Sequence, residues 1–320
     1  MSLSFCGLEL AHRVINGSGT FDAIAARRAF GAALQQHFPF AAYVSKTITL
    51  QPRAGNPPPR LWETAGGLIN SIGLPNKGLD AYMAEDLPQL TGLMARARPP
   101  EGAHQAGPDA GRPGPAGGFP VPVITNVMGS TAAGFATLVE ACAERPEIAA
   151  IELNVSCPNV KTGLDIGADP GELQRMLDHV RPATSKPLIV KLTPNAADVA
   201  ACARAAEAGG ADSVSLVNTL RAMALAGRAE GHRAGAWLGG GTGGLSGPAI
   251  RPVALAQVAA VAAAVAIPVI GMGGVQTPAH ACDMIDAGAA LVAVGTESFR
   301  NPAAGRLIAH GIAGYESSRG

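Results

Sequence analysis

The chain has few of the features that would place it in a specialised class. Aromatic residues make up only 4% of its 320 positions, so a large core has to be filled by aliphatic side chains. Its five cysteines, Cys6, Cys142, Cys157, Cys202 and Cys282, include no CxxC pair. That leaves neither a disulfide frame nor a zinc or iron–sulfur ligand set, and no metal site is predicted. Neither sign of charge dominates, with 24 Lys and Arg against 24 Asp and Glu. The balance excludes the broad basic field of nucleic-acid binders and the polybasic signal of membrane-surface proteins, and favours a small-molecule partner. The opening MSLSFCGLELAHRVING has no charged start followed by a long apolar run, and it nowhere approaches a membrane span. These absences predict a cytoplasmic protein without membrane association.

What is abundant is aliphatic, and it is distributed in short runs. Eight of them stand out: RVING (13 to 17), AYVSKTI (42 to 48), VPVITNV (121 to 127), AIELNVS (150 to 156), PLIVKLT (187 to 193), SVSLVN (213 to 218), PVIGMGG (268 to 274) and LVAVGT (291 to 296). Runs of this kind, apolar throughout instead of alternating, fit parallel strands covered on both faces. Between them lie Ala-rich segments of helical character, such as TAAGFATLVEACAER, DPGELQRMLDHVRPAT, NAADVAACARAAEAGGA, ALAQVAAVAAAVA and TPAHACDMIDAGA. Several open on Asn, Asp, Ser or Thr near a Pro and three close on Gly, as capped helices do. Strand alternating with helix eight times predicts an α/β fold, a (β/α)8 barrel forming one domain over residues 1–320, with a doubly wound open sheet as the weaker reading.

Two stretches break the alternation. Residues 95–120 are dense in Gly, Pro and Ala without periodicity, and read as a flexible surface insertion. Residues 220–246 read as one long glycine-rich connection after the sixth strand, on the side of the barrel where function collects.

The polar and glycine-rich residues sit at the carboxyl ends of the proposed strands, where barrel active sites are assembled. Ser45, Lys46 and Thr47 end the second run, Asn126 the third and Asn154 to Asn159 the fourth. Lys191 lies in the fifth, Asn218 and Thr219 follow the sixth, Gly271 to Gly274 end the seventh, and Gly295 and Thr296 the eighth. A single Lys at a strand end or a single Asn in a turn has an ordinary structural explanation. Seven such ends on one rim point to a site. The GMGGV and GTESF pair is the most specific part, because barrels bind phosphate between the seventh and eighth loops, where glycines let backbone N–H groups approach.

Cys157 follows a strand that Pro158 stops, between Asn154 and Asn159. Buried packing is the ordinary fate of a lone cysteine, but amide-rich neighbours are better at hydrogen bonding than at packing. A thiolate there is a competent base, working best on the alkaline side because a free thiol titrates near about 8.5. Lys46 and Lys191 add fixed positive charge suited to an anionic ring or a carboxylate.

In this order and spacing, KTITLQPRAGNPPPR, NSIGLPN, IELNVSCPNVKTG, VKLTPN, VNTL, GTGGLSGPAIRPVAL, IGMGGV and VGTESF resemble dihydroorotate dehydrogenase over nearly the whole chain outside 95–120. The run GTGGLSGPAI is most similar to the class 1B catalytic subunit, whose partner subunit carries FAD and a 2Fe-2S cluster and passes electrons to NAD. The resemblance implies FMN as cofactor, contacted by Ser18, Lys46, Thr47, Asn126, Asn154, Lys191, Val217, Gly247, Gly273, Gly274, Gly295 and Thr296. It implies that dihydroorotate and its product orotate are held by Lys46, by Asn70, Ser71, Ile72, Gly73 and Leu74, and by Asn154, Asn218 and Thr219. Cys157 matches the catalytic base, taking the C5 proton while hydride leaves C6 for flavin N5 in the pyrimidine-forming pathway. A homodimeric core is implied by the same likeness.

Two departures are visible. After VNTL the loop reads ALAGRAEGHRAGAW and lacks the family's Asp, and Asn16-Gly17 stands in place of the more usual Pro-Ala. Two alternatives stay open on the residues alone: an FMN barrel acting on another dihydropyrimidine, such as dihydrouracil or a base within tRNA, and a non-catalytic phosphate-binding barrel. The neutral charge argues against tRNA.

Overall fold

The computed structural model describes residues 3–94, 121–156, 166–227 and 235–317. The insertion expected at 95–120 lies outside the described residues, as does Cys157. The chain begins with a hairpin of β1 (Leu3–Phe5) and β2 (Leu8–Leu10). The barrel takes β3 (Val14–Asn16) and β4 (Tyr43–Val44). An excursion, β5 (Leu61–Thr64) and β6 (Gly67–Asn70), precedes β7 (Val123–Val127) and β8 (Ile148–Asn154). Next come β9 (Leu188–Lys191) and β10 (Ser213–Leu216), a second excursion of β11 (Leu220–Ala222) and β12 (Gly243–Ser246), then β13 (Val269–Met272) and β14 (Leu291–Val294).

Eight of these strands form one sheet in the order β3-β14-β13-β10-β9-β8-β7-β4, parallel at every pairing. Each coincides with one of the eight apolar runs, and with helices between them they make a (β/α)8 barrel. The reason the runs are apolar throughout is visible in the register. Ile15, Val44, Ile124, Ala150, Ile189, Ile270 and Leu291 point inward into one cluster, while Val14, Tyr43, Val123, Ile151, Val190, Val214 and Val292 point outward against the helices. Phe5 and Leu10 belong to the inner cluster, and Cys6 Sγ contacts the Asp212 carbonyl just ahead of β10 at 3.3 Å. The hairpin thereby plugs the amino-terminal end of the barrel.

The sheet's two end strands, β3 and β4, are joined by an amide side chain acting as a piece of ladder. Asn16 Nδ2 donates to the Val44 carbonyl at 2.7 Å and Asn16 Oδ1 accepts from the Val44 N–H at 2.9 Å. A backbone bond from Ala41 N to the Val14 carbonyl, 2.9 Å, completes the seam. The Asn16-Gly17 departure thus has a structural use.

The intervening helices start where capping side chains place them. Thr131, Asp169, Asp198 and Thr277 accept from the N–H groups of Gly134, Glu172, Ala201 and His280. The segment expected from residue 254 onward is a helix over Arg251–Ala262, starting earlier because Pro252 fits the first turn.

The 220–246 connection is a correction. Its ends are strands β11 and β12, which join β6 and β5 in a four-stranded antiparallel sheet, and Leu225 bridges Ala236 within it. The pattern is hidden in the sequence because Gly243 must be bare: a Cβ there would lie 2.4 Å from the Asn70 carbonyl oxygen. The second run also gives less strand than expected, only Tyr43–Val44, with a single bridge from Ile48 to Val127 beyond it.

Candidate active site

Following the inward positions toward the carboxyl ends, aliphatic side chains give way to polar ones at the two-residue period of a strand. Ile124 is succeeded by Asn126, Ala150 by Glu152 and Asn154, and Ile189 by Lys191, all buried. Ser213 and Ser215 continue the sequence on the neighbouring strand.

Two polar layers result. In the lower, Glu152 accepts from Asn126 Nδ2 at 2.5 Å and from Ser215 Oγ at 2.7 Å. Asn126 Oδ1 is buried and accepts no hydrogen bond among the described residues. In the upper, Asn154 Nδ2 donates to Thr47 Oγ1 at 3.0 Å, and Asn154 Oδ1 accepts from Ser156 Oγ at 3.0 Å. Asn218 Nδ2 then donates to Ser156 Oγ at 2.9 Å and to the Ser156 carbonyl at 3.1 Å. Thr47, Asn154, Ser156 and Asn218 therefore form one chain of amides and hydroxyls across three strand ends, and Cys157 follows Ser156 directly in sequence.

Lys191 stands beside Asn154 in the β8–β9 register and is 5% exposed. No ion pair to it exists among the described residues. Across the seam, Ser18 Oγ donates to the Ser45 carbonyl at 2.8 Å, and the Ser45 hydroxyl accepts from Asn126 N at 3.0 Å. Lys46 Nζ lies over Gly19, 3.4 Å from where a Cβ would stand.

At the far side of the mouth, Gly247, Gly274 and Thr296 line a crevice of about 270 Å3. Arg300, Gln276, Glu63 and Glu297 also belong to its lining. Gly274 has φ +70 and a Cβ on it would lie 2.8 Å from the Gly247 carbonyl oxygen, so only glycine fits. Thr296 Oγ1 donates to Ser246 Oγ at 2.9 Å and opens the short helix Glu297–Arg300. Val217 is buried, its N–H bonded to the Met272 carbonyl at 2.9 Å beside Gly273. Gly295 follows the inward-facing Ala293.

The loop Asn70 to Leu74 is fixed from outside this cluster. Asn70 Nδ2 donates to the Gly244 carbonyl at 3.2 Å, Ser71 Oγ accepts from Asn56 Nδ2 at 3.0 Å, and the Ile72 carbonyl accepts from Asn56 N at 3.0 Å. Gly73 and Leu74 both have positive φ, +74 and +56; for leucine that conformation costs roughly 1 kcal/mol. The hydrogen bonds tie the loop to β12 and to the segment around Asn56. Thr219 is held by its carbonyl, which accepts from Asn195 Nδ2 at 3.0 Å.

Glu152, Ser215, Asn56 and Asn195 are the residues that sequence reasoning passed over, while it puts Ser45 and Ser156 on the rim without a role. Glu152 carries a legible signal, an acidic residue at an inward position of an apolar run; the others become visible only through their partners. The remaining thiols behave as packing. Burial raises Cys142 to about 12, against a small opposing effect of Lys186, and raises Cys6 and Cys202 to about 11. Among the described residues no helix is long and apolar enough to cross a membrane, and no group of three or more His, Cys, Asp or Glu is placed to hold a metal ion.

A family model described as dihydroorotate dehydrogenase matches residues 1–314. The dihydroorotate dehydrogenase B (NAD(+)) catalytic subunit of Trichlorobacter lovleyi is 40% identical, covering 100% of this chain and 94% of the relative. Proteins of the same name from Pelobacter propionicus and Desulforudis audaxviator are each 40% identical, covering 98% and 100% of this chain and 92% and 93% of those relatives. With the barrel, the polar rim and matches of this length in agreement, the chain belongs to the dihydroorotate dehydrogenase family.

Proposed function

We propose that the chain is the FMN-dependent catalytic subunit of a dihydroorotate dehydrogenase, oxidising (S)-dihydroorotate to orotate in de novo pyrimidine synthesis. The observation that carries this reading is the continuous Thr47–Asn154–Ser156–Asn218 chain beside Lys191 at one mouth of the barrel. A pyrimidine ring with two amide edges and a carboxylate asks for side-chain amides and fixed positive charge, and little else.

The residues also fit FMN. The Gly247, Gly274 and Thr296 crevice brings glycine backbone and the Arg300 side chain together, as phosphate sites do, with Glu63 and Glu297 also in its lining. Asn126 Oδ1 is a buried acceptor awaiting a donor, and Lys191 is a buried ammonium that no described carboxyl neutralises. Ser18, Lys46, Thr47, Asn126, Asn154, Lys191, Val217, Gly247, Gly273, Gly274, Gly295 and Thr296 are the proposed contacts. When bound, FMN supplies the two-electron acceptor for the hydride that leaves C6.

The chain's own residues do the rest. Asn154 and Asn218 are oriented by Ser156 before any ligand arrives, so little freedom is lost on binding. Lys46, the Asn70, Ser71, Ile72, Gly73 and Leu74 loop, Asn218 and Thr219 complete the proposed substrate shell. The thiolate of Cys157 takes the C5 proton and becomes the thiol, and its position immediately after the buried Ser156 supports that role.

The relatives' printed name, catalytic subunit with NAD(+), supports a partner subunit that takes the electrons onward; FAD and a 2Fe-2S cluster are proposed for that partner. A homodimeric core and a cytoplasmic location belong to the same proposal.

Purified protein is expected to be yellow and to reduce a dye with dihydroorotate but not with dihydrouracil, passing electrons to NAD only with the partner present. Cys157→Ala is expected to keep the flavin and lose about 10²–10⁴ in its reduction rate. Colourless protein that takes up no FMN, or equal rates with both dihydropyrimidines, refutes the reading.

A further inference from the structure

Glu152 is used by nothing in the proposed reaction, yet it is the one acidic side chain inside the barrel among the described residues, 3% exposed in the middle of β8. Both its oxygens are engaged, Oε2 by Asn126 Nδ2 and Oε1 by Ser215 Oγ. No Lys or Arg pairs with it among the described residues. As core filling it is a poor choice, since an apolar residue of the same size serves a barrel interior as well or better. What a carboxyl does that an apolar residue cannot is decide which way a neighbouring amide faces.

We propose that Glu152 is a positioning residue that sets the orientation of the Asn126 amide and so determines which edge of the flavin the site accepts. A side-chain amide has a donor end and an acceptor end of nearly equal size, and only its hydrogen-bond partners choose between them. Glu152 accepts at this contact, so Asn126 must turn its NH2 inward, and Oδ1 is left buried and available. Ser215 donates to the other oxygen and keeps the carboxyl from rotating away. The backbone of Asn126 is held separately, its N–H on Ser45 Oγ, so the side chain is the only part left to choose. The oxidised isoalloxazine ring has a single N–H, at N3, and every other polar atom on its edge is an acceptor. The unpartnered Oδ1 therefore matches N3–H alone; the flipped amide would present a donor there and reject it.

The inference rests on the reading that FMN binds in this mouth, and the test separates the two. Release of FMN and of 3-methyl-FMN, which lacks the N3–H, is measured by recovery of free-flavin fluorescence from wild type, Glu152→Gln and Glu152→Met. Wild type is expected to hold FMN more tightly than 3-methyl-FMN. Glu152→Gln keeps an acceptor toward Asn126 while its NH2 donates to the Ser215 hydroxyl, so its preference is expected to stay within about threefold of wild type. Glu152→Met has a similar volume and no acceptor; its FMN affinity and its preference for FMN over the methylated ring are both expected to fall roughly tenfold. Melting of the flavin-free proteins reads any loss of fold separately.

An unchanged preference in the Met variant, or the same loss in the Gln variant, overturns the proposal. Wild type that holds both flavins equally overturns it as well, without needing any variant to fold. Wild type that takes up neither flavin overturns the functional reading itself.

Discussion

At the amino ends of β7, β8 and β9 the interior is filled by Ile124, Ala150 and Ile189, in one cluster with Phe5 and Leu10, whereas at the carboxyl ends of the same strands the inward positions carry Asn126, Glu152, Asn154 and Lys191. The backbone is continuous between the two halves and only the side chains change. The lower half has nothing to satisfy but volume, and a hairpin can close it. The upper half buries donors and acceptors and satisfies most of them by linking them in chains such as Thr47–Asn154–Ser156–Asn218, with Asn126 Oδ1 left over among the described residues. Stability and chemistry are therefore separable along the barrel axis, as barrels with active sites at their carboxyl-terminal face allow.

The most forceful way to break that separation is from below. Phe5→Ala deletes a ring that is 3% exposed in the inner cluster and is expected to cost about 3–5 kcal/mol of unfolding free energy. Denaturant midpoints read the loss, while turnover per bound flavin at 25 °C stays near wild type; a fall in turnover of the flavin-loaded protein would show that the plug reaches the chemistry. From above, Asn154→Ala is expected to lower kcat/KM roughly 100-fold, about 2.7 kcal/mol, with stability changing by only about 1 kcal/mol because water at the open mouth replaces the lost partners. The reverse pattern would place Asn154 among the structural residues.

The seam between β3 and β4, which runs through both halves, gives a smaller, sharper test. Asn16→Ala removes both hydrogen bonds to Val44 and leaves that strand's N–H and carbonyl without the side chain that pairs them. The expected loss is about 2 kcal/mol, measured by urea unfolding, together with weaker flavin retention, since Ser18 follows two residues on. A variant as stable as wild type would mean that Ala41 and Val14 close the barrel alone.

The same division explains what could be read in the sequence. All eight barrel strands were legible because a strand buried on both faces is mostly apolar on both, which leaves a short run that polar residues such as Ser213 and Glu152 interrupt only singly. The polar rim was legible as well, since Asn126, Asn154, Lys191 and Asn218 each fall in the carboxyl-terminal part of such a run. The antiparallel sheet was not, because β12 is built as Gly243, Gly244, Leu245 and Ser246, where close approach to β6 outranks β propensity. The hairpin plug was missed for a different reason: three-residue strands give no period to detect. Ser156 and Ser215 look like ordinary small polar residues, and only their partners in space give them a part in the site.

The smallest expected effect concerns the thiols on the structural side of this divide. Cys142 is fully buried against the strands, and the loss of hydration holds its thiol up at about 12, with Lys186 pulling weakly the other way. In the unfolded chain the same thiol titrates near its ordinary value of 9.0. A folded-state value raised above the unfolded one means that the unfolded chain releases its proton first. The contribution is then fully present below about pH 9 and is lost as pH climbs toward 12. Between pH 9 and pH 10 that single group should remove about 1 kcal/mol of stability. Cys142→Ala deletes the titration and adds only a pH-independent offset, so its stability should fall less steeply than that of wild type across this interval. Tyr43 and Tyr82, also raised by burial, are common to both proteins and cancel in the comparison. Parallel curves would mean that water reaches Cys142, and that the helix-packed shell is less sealed than the hairpin-plugged barrel interior.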